Sequence, residues 1–277
     1  DVDDRLARDS LKSSGVPGTV AGLLHAHEKY GLLTLKQVIQ PAIDLAAVGI
    51  TVNVDLSYSI KSRAERLKRE PATRRYFFKE DGSFYELGDN LVQSDLANSL
   101  RRIAANGRSG FYQGKTAELI ASQMTRSGGL ISLDDLKNYR VVERAPVCAD
   151  YEINKVCSMP PPSSGGIHLL QILNILEPWD LTALGHNSAA YIHRLVEAMR
   201  RAYADRSAYL GDPDFYSVPV DQIINKEYAK TLRRQIDLKQ ASASDDVLPG
   251  LPIDPNTLVK GAKKAITESV ETNHIST

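Results

Sequence analysis

Seven residues near the middle of the chain, Pro160-Pro161-Pro162-Ser163-Ser164-Gly165-Gly166, restrict what it can fold into more than any other stretch. Three successive prolines neither donate to a ladder nor continue a strand, so the strand expected over Lys155 to Met159 must end there. Serines are residues that begin helices, and paired glycines let one backbone come close to another. The next stretch, Ile167 to Leu176, is apolar nearly all round until Pro178, interrupted by His168, Gln171 and Asn174. The expectation is a strand, a tight turn and a helix that packs closely on a sheet.

The same turn has a second reading. Unpaired N–H groups at a helix start, together with two hydroxyls, are suited to holding an anion. The lysine and the GxxxxGK[ST] spacing of a phosphate loop are absent, and a structural turn is the simpler reading.

Composition narrows the partners. Acidic and basic residues are balanced at 34 each, which favours neither nucleic acid nor an anionic membrane surface, and no basic stripe interleaved with aromatics occurs. The apolar run from Ile167 is about half the length needed to span a bilayer. The first residue is Asp and no leader signature comes after it, so either a leader lies upstream or the sequence is an excerpt.

Periodicity predicts mostly helix. Thr19 is expected to cap a helix with Val20, Leu23, Leu24 and His27 on one face, and Thr34 another with Leu35, Val38, Ile39, Ala42, Ile43 and Ala46 inward, kinked or restarted at Pro41. Tyr76 to Tyr85 reads as a hairpin about Asp81-Gly82. Two helices come next, Ser94 to Ala105 with Leu96, Leu100 and Ile103 inward, and Lys115 to Arg126 with Leu119, Ile120 and Met124 inward. Ser132 with Asp135 forms a capping-box variant. Alternation over Ala145 to Ile153 predicts a strand. Ser188 caps a long helix whose inward face is Ile192, Leu195, Val196, Met199 and Tyr203, with Glu197 and Arg201 paired on the outer face. Ala241 to Pro255, rich in Ser, Asp and Pro, reads as a linker.

Cys148 and Cys157 lack metal-ligand spacing and are read as structural thiols, with a disulfide across a hairpin as the alternative. His25 with His27, His186 with His193, and His168 and His274 offer no metal-ligand pattern, so no metal and no organic cofactor is expected. Asp205, Asp212 and Asp214 are simpler as the end of a helix and its turn than as an acid–base pair or a calcium loop. Thr272 differs in kind. A threonine hydroxyl is a poor nucleophile until a base adjoins it, and a chain cut in front of Thr272 supplies that base as the threonine's own amine. In extended backbone Thr272, His274 and Ser276 share one face.

Taken as a set, Val16 to Gly22, Gln40 to Ala46, Phe111 to Gly114, Gly128 to Ile131, Ser158 to Gly166, Tyr203 to Phe215 and the closing Thr272-Asn273-His274-Ile275-Ser276 resemble the γ-glutamyltransferases, a branch of the N-terminal-nucleophile hydrolases. The resemblance implies an α+β fold. The chain supplies a helix-rich part of an αββα sandwich, with residues 1–277 as one incomplete domain, 1–271 belonging to the large subunit and 272–277 opening the small one. It implies that the precursor cuts itself between Glu271 and Thr272, and that the freed threonine takes a γ-glutamyl group from glutathione or another γ-glutamyl compound. Water, an amino acid or a peptide then accepts the group. Asn273 stands where a second threonine is common in the family. By the same resemblance, an arginine that grips the glutamyl α-carboxylate precedes Asp1, and the small subunit, with its oxyanion donors, lies beyond Thr277. This chain alone is then expected to be inactive, and a periplasmic or extracellular location is suggested. A related acylase acting on another amide, or a non-catalytic remnant, are the alternatives.

Overall fold

Side-chain caps set where many of the helices begin. Thr34 and Gln37 form a reciprocal capping box, as do Ser132 and Asp135, while Asn53, Asp180, Ser188 and Asn225 each accept a backbone N–H of the first turn. The computed structural model describes residues 10–251, which fall into two compact units divided between Val142 and Glu143.

In the first unit α1 (Thr19–Tyr30) and α2 (Leu35–Val48) are succeeded by β1 (Ile50–Thr51), α3 (Val54–Ser62), α4 (Ala64–Leu67), α5 (Pro71–Phe77), β2 (Asn90–Leu91), α6 (Ser94–Asn106), α7 (Ser109–Tyr112), α8 (Gly114–Arg126) and α9 (Leu133–Asn138). The two short strands pair antiparallel, Ile50 opposite Leu91, and α2 packs along α6. Tyr112 is the hub of a core with Ala21, Ala117, Met124, Ile131 and Leu136. Its buried hydroxyl donates to the Pro17 carbonyl at 2.5 Å and accepts from the Ala21 N–H at 3.1 Å, and its ring stacks on Tyr139. The polar tip of a buried tyrosine is thereby satisfied.

Several expectations for this unit are corrected. Gly18, not Thr19, is the N-cap of α1, and a side chain at Gly18 would lie 2.3 Å from the Tyr139 hydroxyl. Helix α2 runs on through Pro41 and does not restart there. Tyr76 and Phe77 close α5, and the expected hairpin is reduced to one bridge, Phe78 opposite Phe84, about a turn in which the Lys79 N–H donates to the Ser83 carbonyl and the Gly82 N–H to the Lys79 carbonyl. Leu23, Val38, Leu96 and Leu119 are exposed, and Ala21, Ala97 and Ala117 are buried instead, whereas Ile43 and Ala46 are buried as expected. Small residues mark the faces where these helices come close, since interaxial distance is set by the side chains at the contact.

The second unit opens on an antiparallel hairpin of β3 (Val147–Tyr151) and β4 (Asn154–Ser158). Cys148 and Cys157 are directly opposed in it and joined as a disulfide, which replaces the expectation of free structural thiols. Then come α10 (Gly165–Leu176), α11 (Leu181–Leu184), α12 (Ala189–Tyr209), α13 (Val220–Ile223) and α14 (Lys226–Arg234). Helix α10 is central. It packs on the hairpin, on α12 and on α14, and Ile167, Leu170, Ile175 and Leu176 are all buried. Arg233 Nε and Nη2 donate to the carbonyls of Ile175 and Asn174, satisfying backbone acceptors at the end of α10. The described residues are thus helix-rich with two small antiparallel sheets, an α+β arrangement.

Candidate functional site

The Pro160 to Gly166 turn is built for close approach. A side chain at Gly166 would lie 2.1 Å from the Met159 carbonyl oxygen, so helix α10 starts against the end of β4 only because that position has no Cβ. Ser164 Oγ accepts from Arg206 Nε at 2.9 Å, and Ser163 Oγ accepts from the Gly165 N–H at 3.3 Å. Both hydroxyls are engaged within the fold, in accord with the structural reading of this turn.

One turn further along α10, His168 is buried against the Tyr203 ring, with centroids 4.4 Å apart, and its Nε2 has no hydrogen-bond partner. Burial, reinforced by the positive charge of Arg206, lowers its pKa to about 4, with a hydrogen bond to the Ala202 backbone acting weakly the other way. The ring is therefore neutral near neutrality.

Helix α12 carries the charges that sequence periodicity misplaced. Glu197 and Arg201 are 1% and 3% exposed and face inward, whereas Ile192 and Val196 are exposed. The buried face of α12 runs through Ala198, Ala202, Asp205 and Tyr209. Glu197 Oε2 receives Arg201 Nη1 and the Ser242 hydroxyl, each at 2.7 Å, and Oε1 receives the Ser242 N–H at 2.9 Å. Burial works to raise the Glu197 pKa, but the two Ser242 donors and the Arg201 guanidinium together outweigh it and hold it below the usual range. Arg201 also donates to the carbonyls of Leu232 and Gln235 at the end of α14.

Asp205 lies two turns on, 1% exposed. Its Oδ2 accepts from Gln171 Nε2 at 2.5 Å and from the Tyr228 hydroxyl at 2.7 Å, and Oδ1 accepts from the Gly250 N–H at 2.9 Å. All three donors are neutral, so burial prevails and raises its pKa. Asp212 and Asp214 do form the expected turn, the Asp212 carboxylate accepting the Asp214 N–H, while Asp214 pairs with Arg144. The alanines at 198 and 202, one turn apart and in line with Asp205, were the available sign that this face is the buried one.

The described part of the stretch expected to be a linker, residues 241–251, is held instead. Ser242 and Gly250 are tied to Glu197 and Asp205, and the Tyr209 hydroxyl donates to the Leu251 carbonyl. Thr272, the candidate nucleophile, and His274 lie outside the described residues. Among the described residues no group of three or more His, Cys, Asp or Glu side chains is placed to hold a metal ion, and no helix is long and apolar enough to cross a membrane.

The chain as a whole is similar to known structures. The Helicobacter pylori gamma-glutamyltranspeptidase matches with a TM-score of 0.87 and 46% identity over 90% of this chain and 72% of that one. Escherichia coli (strain K12) glutathione hydrolase proenzyme is 44% identical over 281 residues, 99% of this chain and 46% of that protein. Acylase ACY 1 proenzyme of Pseudomonas sp. (strain SE83) is 40% identical over 243 residues, 88% of this chain and 43% of that protein. The family model described as Gamma-glutamyltranspeptidase matches residues 1–277, and the chain belongs to that family. Its fold is the helix-rich part of an N-terminal-nucleophile hydrolase. The chain spans less than half the length of these curated relatives.

Proposed function

We propose that the protein carrying this chain hydrolyses or transfers the γ-glutamyl group of glutathione and related γ-glutamyl compounds, with Thr272 as nucleophile freed by self-processing. The observation that carries this reading is the family match through residue 277, which brings the Thr272-Asn273-His274-Ile275-Ser276 string within the matched region. The word proenzyme in the name of the Escherichia coli relative supports a processing step. Export to an oxidising compartment is supported by the Cys148–Cys157 disulfide.

In processing, Thr272 Oγ adds to the Glu271 carbonyl. The C–N bond breaks, the departing Thr272 nitrogen keeps its place on the new chain start and gains the hydroxyl proton, and an ester joins Glu271 to Oγ. Water cleaves the ester, leaving a Glu271 carboxylate and restoring the Thr272 hydroxyl beside a free amine. In turnover that amine takes the Oγ proton as Oγ attacks the γ-glutamyl carbonyl, and the leaving amine carries the proton away. Water then releases glutamate, or the amine of an amino acid or peptide takes the γ-glutamyl group. The oxyanion donors and the carboxylate clamp belong to sequence beyond this chain, including the small subunit, so residues 1–277 alone are inactive.

Intact-mass spectrometry and a γ-glutamyl anilide assay test the proposal. The whole precursor should separate into two chains at Glu271–Thr272 and release the aniline, Thr272→Ala should do neither, and the 1–277 chain should stay uncut and silent. An uncut whole precursor, or a processed Thr272→Ala variant, would overturn it. The 40% identity to an acylase proenzyme supports a second reading, in which the same nucleophile acts on another amide such as a β-lactam side chain. A processed protein that cleaves that amide and not the γ-glutamyl anilide would favour it.

A further inference from the structure

We infer that the Cys148–Cys157 disulfide is a surface site for thiol–disulfide exchange with glutathione, and that Cys157 is the sulfur attacked. The inference goes beyond the function proposed above, since it uses the thiol of glutathione and not its γ-glutamyl bond. Side chains alternate across a strand, so the paired residues of the β3–β4 hairpin divide between two faces. One face carries Val147, Ala149 and Tyr151 with Val156 and Ser158, all half-buried, and the hairpin packs on α10. The other carries Cys148 opposite Cys157 and Asp150 opposite Lys155. Of these four, Cys157, Asp150 and Lys155 are exposed and Cys148 is half-buried. The disulfide therefore lies on the more exposed side of the hairpin and not in a core.

Access and charge single out one sulfur. Exchange depends on which sulfur an attacking thiolate can reach, and Cys157 is the more open of the two. Glutathione is an anion near neutrality. Lys155, two residues before Cys157 on the same strand face, attracts it on that side, whereas Asp150 stands beside Cys148. The glutathione thiolate attacks Cys157 Sγ, the Cys148–Cys157 bond breaks, and Cys148 leaves as a thiolate that takes up a proton. A second glutathione thiolate attacks the glutathione sulfur of the mixed disulfide, and Cys157 leaves as a thiol with one molecule of glutathione disulfide formed. Two electrons pass from two glutathiones to the protein, and the reverse sequence restores the bond. The strand register does not rest on that bond. The remaining pairs and the two-residue turn at Glu152 and Ile153 hold the strands, so the reduced thiols stay opposite each other and the exchange runs without unfolding.

The experiment treats the whole native precursor, carrying Thr272→Ala to remove γ-glutamyl turnover, with reduced glutathione. Alkylation traps Cys148 as it leaves, and peptide mass locates the adduct. Glutathione should be found on Cys157 about tenfold more often than on Cys148. Cys148→Ser and Cys157→Ser each leave one thiol for reaction with glutathione disulfide, and the first, with Cys157 free, should react about tenfold faster. Lys155→Glu should slow opening about three- to tenfold at low salt and by less at high salt. Ile175→Val, a core truncation in α10, should exchange at the parent rate, and glutathione disulfide should restore both the bond and the melting temperature. A bond that opens only in denaturant, or an adduct chiefly on Cys148, would overturn the inference. So would a rate that rises in Ile175→Val in step with its lost stability, which marks attack through unfolding, or loss of a cooperative melt on reduction. Glutathione consumed by the Thr272→Ala protein marks failure of the proposed function instead, and leaves the location of the adduct to decide this one.

Discussion

The Glu197 carboxylate and the Arg201 guanidinium meet at 2.7 Å inside the second unit, one turn apart on α12 and both shielded from solvent. Removing either partner leaves an uncompensated buried charge. Arg201→Met is expected to cost about 3–5 kcal/mol, because it also strands the carbonyls of Leu232 and Gln235. Urea denaturation checks this, and a double variant with Glu197→Gln should lose less than the sum of the two single losses.

His168 makes the fold sensitive to acid. A buried imidazole whose folded pKa is about 4, below its unfolded value, contributes stability that is complete above pH ~6.5 and is lost as pH falls toward 4. The loss at the low end is about 3 kcal/mol. Melting temperatures measured from pH 7 to 4 should therefore fall more steeply in wild type than in His168→Phe, which keeps a ring against Tyr203. Parallel curves would contradict the assignment.

The glycine pair at the start of α10 should respond unequally. Gly166→Ala places a methyl 2.1 Å from the Met159 carbonyl oxygen and has to push helix and strand apart, whereas Gly165→Ala meets only Ser163 Oγ at 3.5 Å. A loss of about 1–3 kcal/mol or more is expected for the first and a change within about 1 kcal/mol for the second. Thermal unfolding of the two variants side by side is sufficient to tell.

Reduction of Cys148–Cys157 should weaken the second unit. Closing a loop of this length restricts the unfolded chain by about 2–3 kcal/mol, and replacing both cysteines with alanine should lower stability by a similar amount. Alkylation before and after reduction, read by mass, confirms that both thiols are paired in the folded chain.

Local chemistry was legible in the sequence, and the choice of buried face was not. Thr34, Ser132 and Ser188 cap helices as expected because a cap depends on residues three positions away. The β3–β4 hairpin and the apolar α10 were likewise visible in their periods. The inward face of α12 was misread because large apolar residues outweighed Ala198 and Ala202 in the pattern, and a charge pair at i, i+4 ordinarily marks solvent. The buried network around Asp205 was not legible because its donors, Gln171, Tyr228 and Gly250, come from distant parts of the chain. Thr272 rested on family resemblance throughout, since a five-residue string has no local physical signature.

The hold that Glu197 and Asp205 keep on residues 242–250 works as a gauge of length. Glu197 and Asp205 are eight residues apart on a helix, a separation of about 12 Å, whereas the eight steps from Ser242 to Gly250 would cover about 26 Å if extended. Part of the surplus is taken up by the 3₁₀ turn at Ser244–Asp246, where Arg200 bonds the Ser244 hydroxyl. Chain length is therefore rigid on one side and slack on the other. An added residue between Glu197 and Asp205 rotates one carboxylate about 100° away from its donor, while an added residue near Ser244 enlarges a turn and leaves both anchors in register.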